Sequence, residues 1–253
     1  MDYYKNEESF KEASGYTIND IWYPRVTKIV SIKAKPALYR FYAEAENYKA
    51  VQQITKKSAE EGTQIHEVVE GLLMGEKPEI LPEIKPAIDA FIKFWGETSI
   101  QVTPDLVEKR VVSYDNRYAG TVDAIALIGG KMGVMDIKTS LAIYRDYNLQ
   151  TSAYMDALKN EFNLQTRWIL RIDQVQLCNL CGARRRIKGG REKIKIDWNN
   201  KLMKQCSHEW SEIKGEVELK EFPYWQEDFR AFLGAKQLWE WENDFWLKKI
   251  GYL

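Results

Sequence analysis

Two apolar strands joined by a Gly-Gly pair impose the strongest constraint on the fold. The stretch GTVDAIALIGGKMGVMDIKTS, residues 120–140, has one apolar run on each side of Gly129-Gly130. A two-residue turn between paired strands needs positive φ, which glycine adopts without strain, so the stretch predicts a β-hairpin. In the register that this turn imposes, Asp123 lies directly opposite Asp136. Directly opposed side chains have Cβ atoms about 4.5–5.5 Å apart, and like charges there destabilise the sheet, so something must offset the repulsion.

A lysine shares the face of the two aspartates. Because side chains alternate along a strand, Lys138 points to the same side as Asp136, and in the same register it lies opposite Thr121. A divalent cation would turn the repulsion into coordination, and Mg²⁺ favours carboxylates together with waters and phosphate oxygens. A metal-bound water is a nucleophile near neutral pH, and Lys138 could orient it or neutralise a phosphate. The alternatives are a buried Asp–Lys–Asp ion cluster and a bulged turn that separates the acids.

Polar residues on two predicted helices lie before and after the hairpin. His66 occurs in a segment where Ser58 and Glu61 have the spacing of a capping box and an apolar stripe follows, which predicts an amphipathic helix. Gln150 and Tyr154 are four residues apart on the next predicted helix and therefore share a face. By itself, such a histidine is typical of a core residue, and such a pair is typical of a half-polar helix surface.

The order of the predicted elements indicates an α/β fold. Helices over residues 36–54, 58–75 and 85–98 precede three antiparallel strands, and a helix and a strand follow. After a basic insertion, the chain resumes with a strand and an aromatic-rich helix over residues 225–246. This order predicts one domain over residues 1–253, with a central mixed β-sheet and helices packed on it.

Composition and charge limit the classes of protein. Lysine and arginine total 37, as do aspartate and glutamate, so any affinity for nucleic acid needs a local basic patch. No apolar run approaches the roughly 20 residues that span a bilayer, and the first residues do not resemble a signal peptide, so no membrane partner is expected. Three cysteines argue against a disulfide framework. We expect a cytoplasmic protein, in the host cytoplasm if it is phage-encoded.

These motifs, taken in order, resemble the PD-(D/E)XK nuclease superfamily. The resemblance is strongest to its RecB-like exonuclease branch, which includes the mitochondrial genome maintenance exonuclease and the CRISPR adaptation nucleases. GTQIHEVVE is similar to the branch's histidine motif, GTVDAI to its first metal-binding acid, DIKTS to its D-x-K element and QTSAY to its Q-x-x-x-Y motif. Val122 stands where the superfamily's name has a proline, which this branch often lacks. The resemblance covers about residues 26–154 and, through element order, extends to most of the chain.

The resemblance implies a restriction-endonuclease-like core and a DNA nuclease, by preference an exonuclease, that uses Mg²⁺ or Mn²⁺. The residues that would bind the metal are His66, Asp123, Asp136 and, through its backbone carbonyl, Ile137. The residues that would be catalytic are Asp123, Asp136 and Lys138. The residues that would position the strand or support the site are Gln150, Tyr154 and Glu108. The expected substrate is DNA that is single-stranded or has free ends, and a protein partner in replication, recombination or repair is compatible with it.

Residues 174–215 form a basic insertion that holds all three cysteines. It contains Cys178-x-x-Cys181-Gly and, after a long gap, Cys206-x-His208. Three thiolates and one imidazole satisfy a tetrahedral structural zinc, which would hold together a segment with little core. The alternative is three unrelated reduced thiols. The CRISPR relatives hold an iron–sulfur cluster on four cysteines, so that cofactor is not expected here.

Basic residues lie between the two cysteine pairs. They are Arg184, Arg185, Arg186, Lys188, Arg191, Lys193 and Lys195. Attraction of phosphates would make this segment a DNA-binding surface, and the alternative is a solvated hairpin.

Two further hypotheses concern function. The segment HEVVE is similar to the zincin motif H-E-x-x-H, but Glu70 replaces the second histidine and His208 is the only other histidine, so a metallopeptidase is not expected. A non-catalytic DNA-binding or scaffold protein with the same fold is the remaining alternative to a nuclease. In that case the zinc would be purely structural.

Overall fold

A mixed β-sheet with helices on both faces organises the chain. The computed structural model describes residues 4–45, 47–197 and 199–253. The helices within these ranges are α1 Glu7–Ser14, α2 Val26–Val30, α3 Pro36–Glu44, α4 Tyr48–Leu73, α5 Lys85–Glu97, α6 Tyr147–Leu158, α7 Lys201–Gln205, α8 Gln226–Glu242 and α9 Asp244–Lys249. The strands are β1 Gly15–Ile18, β2 Ile21–Pro24, β3 Ile100–Ser113, β4 Tyr118–Ile128, β5 Lys131–Lys138, β6 Thr166–Leu177, β7 Arg184–Lys188, β8 Arg191–Lys195 and β9 Lys214–Glu221.

The large sheet combines antiparallel and parallel pairing. Its strand order is β3-β4-β5-β6-β7-β8, and β9 pairs with β6 as well. The pairs β3–β4 and β4–β5 are antiparallel, whereas β5 and β6 are parallel and are connected through α6, as a parallel pair requires a crossover. β6 pairs with β9 from Trp168 to Val175 and with β7 only through Gln176 and Leu177. The predicted class, a mixed sheet flanked by helices, is therefore confirmed.

The Gly-Gly hairpin has the predicted register. Gly129 and Gly130 have φ of 57° and 78°, so both adopt the left-handed region that a primed turn requires. Pairing runs from Ile128 opposite Lys131 to Ala124 opposite Met135. It stops one step before the two aspartates, and the strands separate there.

Each face of the hairpin packs into a different hydrophobic cluster. Ile125 and Val134 belong to a cluster with residues of α1, α2, α6, α8 and α9. Ala124 and Met135 belong to a second cluster with residues of α4 and α5. Burial on both faces explains why the two strands are almost continuously apolar in sequence. The aspartates lie where this doubly covered region ends.

The predicted helix boundaries between residues 36 and 75 are wrong. Ser58 and Glu61, which were expected to start a helix, lie inside α4. The helix instead begins after Asn47, whose extended backbone and side-chain oxygen, 2.9 Å from the N–H of Ala50, form the N-cap. Strong helix formers surround Ser58, so the backbone continues through it. The expected single helix over residues 36–54 is α3 followed by the first turns of α4.

Two other predicted boundaries also differ. β6 extends to Leu177 and β9 begins at Lys214, so the insertion is shorter than residues 174–215 at both ends. The C-terminal helix ends at Glu242, and α9 follows after Asn243. The insertion is therefore the segment of residues 178–213 between two adjacent strands of the sheet.

A buried arginine ties the sheet to two helices. Arg167 of β6 is 1% exposed. Its guanidinium donates to the carbonyls of Asn148 at 2.7 Å, Tyr224 at 2.9 Å and Phe222 at 3.2 Å, and it forms an ion pair with Asp228. These contacts join the start of α6, β6 and the start of α8 through one side chain.

We expect Arg167→Met to lower the free energy of unfolding by about 3 kcal/mol, because it leaves the partly buried carboxylate of Asp228 and several carbonyls unpaired. Urea denaturation followed by circular dichroism measures this. The control is Lys131→Met, which breaks the exposed pair between Lys131 and Glu221, 2.7 Å apart, and should cost less than about 1 kcal/mol. Equal losses in the two variants would contradict the structural role of Arg167.

Candidate active site

Three elements bring the predicted metal-binding residues together where β4 and β5 separate. His66 lies on α4, Asp123 on β4, and Asp136 and Lys138 on β5. His66 Nε2 is 3.1 Å from Asp123 Oδ2, and Lys138 Nζ is 2.6 Å from Asp136 Oδ2. Each acid therefore has a basic partner: His66 of α4 for Asp123, and Lys138 of β5 for Asp136.

Asp123 replaces the missing strand partner of β5. Its Oδ2 accepts the backbone N–H of Ile137 at 2.6 Å, and the same oxygen contacts His66. Burial alone would raise the pKa of Asp123, but the hydrogen bond from His66 and the charge of Lys138 lower it. Asp123 is thus an anion at neutral pH that is fixed from two sides.

Asp136 has a buried oxygen with no hydrogen-bond partner among the described residues. The residue is completely buried, and within the described part of the chain its Oδ1 has no hydrogen-bond partner. Burial raises the pKa of Asp136 to about 6, with Lys138 opposing and Asp123 reinforcing the shift. Since an unpaired buried carboxylate oxygen is costly, Oδ1 is available as a ligand for a cation.

Two glutamates extend the site beyond the expected residues. His66 Nδ1 is 2.5 Å from Glu70 Oε1, and the ligand atoms of His66, Glu70 and Glu108 all lie within 4.8 Å of one another. Burial opposes protonation of His66, but its hydrogen bonds to Asp123 and Glu70 raise its pKa to about 10. Burial, followed by the hydrogen bond and charge of Glu70, raises the pKa of Glu108 to about 8. The surplus of carboxylates makes this a candidate group for binding a metal ion.

Sequence reasoning missed Glu70 and included Glu108. Glu70 lies one helical turn after His66, and this four-residue spacing was the available signal. From the sequence alone, Glu70 is interpreted only as the residue that replaces the second histidine of the zincin motif. Glu108 has φ of 50°, which is uncommon for a residue other than glycine. Its neighbours Val107 and Lys109 on β3 both pair with residues of β4, and the pairing is interrupted at Glu108. Nothing in the local sequence indicates this backbone conformation.

Gln150 and Tyr154 lie beside the acids without bonding to them. Gln150 Nε2 donates to the hydroxyl of Tyr154 at 3.0 Å, and among the described residues neither side chain hydrogen-bonds to an acid of the site. Tyr154 is 1% exposed, and a Cβ on Gly120 would lie 2.5 Å from its ring. Burial, then the charges of Asp136 and Asp123, raise the pKa of Tyr154. Tyr154 packs against Gly120 of β4, which explains the glycine of GTVDAI.

Three adjoining cavities form a groove, called the basic groove below. The first, about 340 Å³, opens onto His66 and Lys138. The second, about 400 Å³, shares Thr139 with it and is lined by basic residues of β7 and β8. The third, about 1030 Å³, shares Leu141 with the second. The basic residues that line the last two cavities are Arg40, Arg171, Arg184, Arg186, Lys188, Arg191, Lys193, Lys195, Lys204, His208 and Lys220.

The four predicted zinc ligands form a second candidate metal-binding group. Cys178 Sγ lies 3.7 Å from Cys206 Sγ, Cys181 Sγ lies 3.5 Å from His208 Nδ1, and all four ligand atoms are within 4.8 Å of one another. The backbone N–H of Ala183 donates to Cys181 Sγ, and that of His208 donates to Cys206 Sγ. Such bonds to the ligand atoms orient them, as supporting contacts do in metal sites.

The basic residues of the insertion make contacts within the protein. Their partners are Glu216 for Arg184, Gln176 and the ring of Trp210 for Arg185, Asp173 for Arg186, the carbonyl of Thr139 for Lys188, and Glu44 and the ring of Phe41 for Arg191. Of the predicted DNA-binding residues, all but Arg185 therefore line the basic groove, and all of them make contacts within the protein.

Comparisons of the chain with protein-family models and with curated proteins found no match. Within the described ranges, no helix combines the length and apolar character that crossing a bilayer would need. The chain is an α/β protein, and its described residues include two candidate metal-binding groups.

We expect Asp136→Asn to weaken binding of Mn²⁺ by at least about tenfold, because the variant loses an anionic ligand. Titration calorimetry in metal-free buffer measures the affinity. The control is Asp89→Asn on α5, where the carboxylate is exposed and pairs with Lys85. Should both variants bind Mn²⁺ as the unmodified chain does, Asp136 is not a ligand.

Proposed function

We propose that this chain is a metal-dependent DNA nuclease with a PD-(D/E)XK core, and by preference an exonuclease. The observation that carries the proposal is the buried oxygen of Asp136, which has no hydrogen-bond partner in the described part of the chain. It lies near Asp123 and beside Lys138, and Lys138 lines the basic groove. The element order supports the core assignment, because a helix with His66, three antiparallel strands, a crossover helix and a parallel strand occur in that sequence.

The donor set suits Mg²⁺ or Mn²⁺. The groups that would hold the ion are the carboxylates of Asp123 and Asp136, the imidazole of His66 and the backbone carbonyl of Ile137. Carboxylate and carbonyl oxygens are hard ligands that these ions prefer. When bound, the metal would supply a water of lowered pKa and neutralise charge on a phosphate.

Lys138 is the residue that acts on the scissile phosphate. Burial would lower its pKa, but the charges of Asp136 and Asp123 raise it, so the ammonium keeps its proton. Its Nζ is held between Asp136 and the ring of Tyr147, 5.3 Å from the ring centroid. A fixed cation at this point stabilises the negative charge that grows on phosphate oxygens during attack.

Glu70 gives His66 a defined orientation. Its contact at Nδ1 leaves Nε2 directed at Asp123. Carboxylates commonly fix metal-binding imidazoles in this way. Glu108 adds a further acid at the same edge.

The basic groove supports DNA as the substrate. The chain has no net charge, yet basic residues are concentrated in cavities that lead to Lys138. A local positive groove attracts the phosphate backbone irrespective of base sequence. This fits a strand that is single or has a free end, as the family resemblance implies.

The second metal-binding group fits zinc. Three thiolates with one imidazole are soft ligands of the number and type that tetrahedral structural zinc takes. The group joins the two ends of the insertion, because Cys178 follows β6 and pairs with Trp210 across a bridge. Zinc here is structural rather than catalytic.

We expect Lys138→Ala and Asp136→Asn to lower the rate of DNA cleavage by at least about 10²-fold, because the first removes the cation that stabilises charge on the phosphate and the second removes an anionic ligand of the metal. Labelled single- and double-stranded DNA is incubated with Mg²⁺ or Mn²⁺, and EDTA should stop the reaction. The matched control is Lys93→Ala on α5, which removes an exposed lysine paired with Glu97.

Cleavage that persists in EDTA, or full activity of both variants, would refute the proposed mechanism. Salt-sensitive DNA binding without cleavage in either metal would instead establish the alternative, a non-catalytic DNA-binding or scaffold protein.

We expect His208→Asn to abolish the zinc content of the purified protein, because it removes one of four ligands. The chain's other histidine provides the control, since His66→Asn should retain zinc in about a one-to-one ratio with the chain. Elemental analysis of protein prepared without added zinc measures both. Absence of zinc from the unmodified chain would refute this assignment.

A further inference from the structure

We propose that the β7–β8 hairpin braces the catalytic strand, with Arg186 and Lys188 as positioning residues for Lys138. We further propose that the group of Cys178, Cys181, Cys206 and His208 holds the hairpin in place to do so. This inference rests on the proposed nuclease site and zinc group, and it gives two residues expected to contact DNA a role within the protein.

The brace acts at the carbonyl of Thr139, directly after Lys138. Lys188 Nζ donates to this carbonyl at 2.5 Å and Arg186 Nη2 donates to it at 3.0 Å. β5 ends at Lys138, so sheet pairing no longer fixes the backbone at the next residue. Two cationic donors on one carbonyl take over that function, and charged hydrogen bonds are the stronger kind.

Thr139 also contacts α4. A Cβ on Gly62 would lie 2.7 Å from Thr139 Oγ1, so the helix and the threonine are in close contact. Thr139 is thus held between α4, which carries His66, and the hairpin. The position of the Lys138 backbone relative to His66 depends on both contacts.

Arg186 is itself fixed to the sheet. Its Nε lies 2.6 and 2.7 Å from the two carboxylate oxygens of Asp173 on β6, and Asp173 is 3% exposed. A partly buried arginine whose Nε contacts both oxygens of a buried carboxylate has little freedom to take another partner. Because Arg186 contacts both Asp173 and Thr139, the position of Thr139 depends on the positions of β6 and β7.

The base of the hairpin depends on the metal-binding group. β7 pairs with β6 through only two residue pairs, Gln176–Arg185 and Leu177–Arg184. The turn that joins these strands is the Cys178–Cys181 segment, closed by Gly182 with φ of 75°. With so little strand pairing, the position of β7 depends on the ligands at this turn together with the side-chain contacts of its arginines to the sheet.

The tip of the hairpin rests on α4. A Cβ on Gly189 would clash with Ser58 Oγ and with the carbonyl of Ile54, so only glycine allows this approach. The hairpin is thus held at its base by the metal-binding group and at its tip by a helix. Loss of either support should release Thr139 while the two hydrophobic clusters remain intact.

The test compares variants of the full-length chain. Lys188→Met removes one donor to Thr139, Lys188→Arg keeps a donor, and His208→Asn disrupts the metal-binding group. Lys195→Met is the control, since it removes the same charge from an exposed position on the same hairpin. Three quantities are measured: zinc content, amide hydrogen exchange of residues 136–147 without DNA, and kcat and KM for DNA cleavage with Mn²⁺.

We expect Lys188→Met to speed exchange in residues 136–147 by up to about tenfold, the effect of one lost hydrogen bond. It should lower kcat by about 10- to 100-fold, as loss of a supporting contact does in metal sites, and retain zinc. His208→Asn should show the same changes with zinc lost. Lys188→Arg should behave as the unmodified chain, and Lys195→Met should alter KM alone, without faster exchange.

Unchanged exchange in Lys188→Met would overturn the brace, whatever the enzyme does. Faster exchange with unchanged kcat would refute the positioning role. If His208→Asn loses zinc but keeps normal exchange, the hairpin does not depend on the metal-binding group. Faster exchange in a chain that cleaves no DNA at all would leave the brace standing and refute the proposed nuclease function.

Discussion

The hydrogen bond from the N–H of Ile137 to Asp123 is the contact on which the site depends. In an uninterrupted hairpin, a backbone carbonyl of β4 would accept this N–H, and the strands would continue side by side. Because a carboxylate takes the carbonyl's place, β4 and β5 can separate without leaving a buried donor unpaired. The opening gives His66 of α4 access to Asp123, and it leaves one oxygen of Asp136 without a donor from the described ranges of the chain.

Opposed acids are tolerated here because each has a basic partner. His66 compensates Asp123, and Lys138 compensates Asp136. These four side chains therefore form an ion cluster. Such a cluster is the alternative to metal binding as an explanation of the two nearby acids. The two explanations are compatible, since protons on His66 and Glu108 occupy a site whose excess of carboxylates also suits a cation.

Local chemistry made the hairpin predictable, and long-range contacts made the details unpredictable. The Gly129-Gly130 turn sets the register of β4 and β5 directly. Pairing stops where the side chain of Asp123 replaces a backbone carbonyl as the acceptor of the N–H of Ile137. The alternation of residues along the strands does not reveal this point. The helix start predicted at Ser58 is wrong because Asn47 has the extended backbone that an N-cap needs, and the helix begins there.

The candidate metal ligands were predictable by residue type, but their supporting contacts were not. Cysteine and histidine spacing indicated a four-ligand group, and those four side chains lie together. Glu70 was overlooked because it belongs to a candidate metal-binding group only together with Glu108, which lies on a strand far away in sequence. The contact of Lys188 with Thr139 requires the hairpin to fold back over α4, which no local pattern specifies.

The two ends of the insertion leave the sheet side by side. Val175 of β6 is paired with Lys214 of β9, so the chain departs and returns at neighbouring positions of an antiparallel pair. A short turn could join these strands directly, and the remaining sheet would keep its pairing. Evolution can therefore add, lengthen or discard the segment as a module while the architecture of the sheet is inherited unaltered.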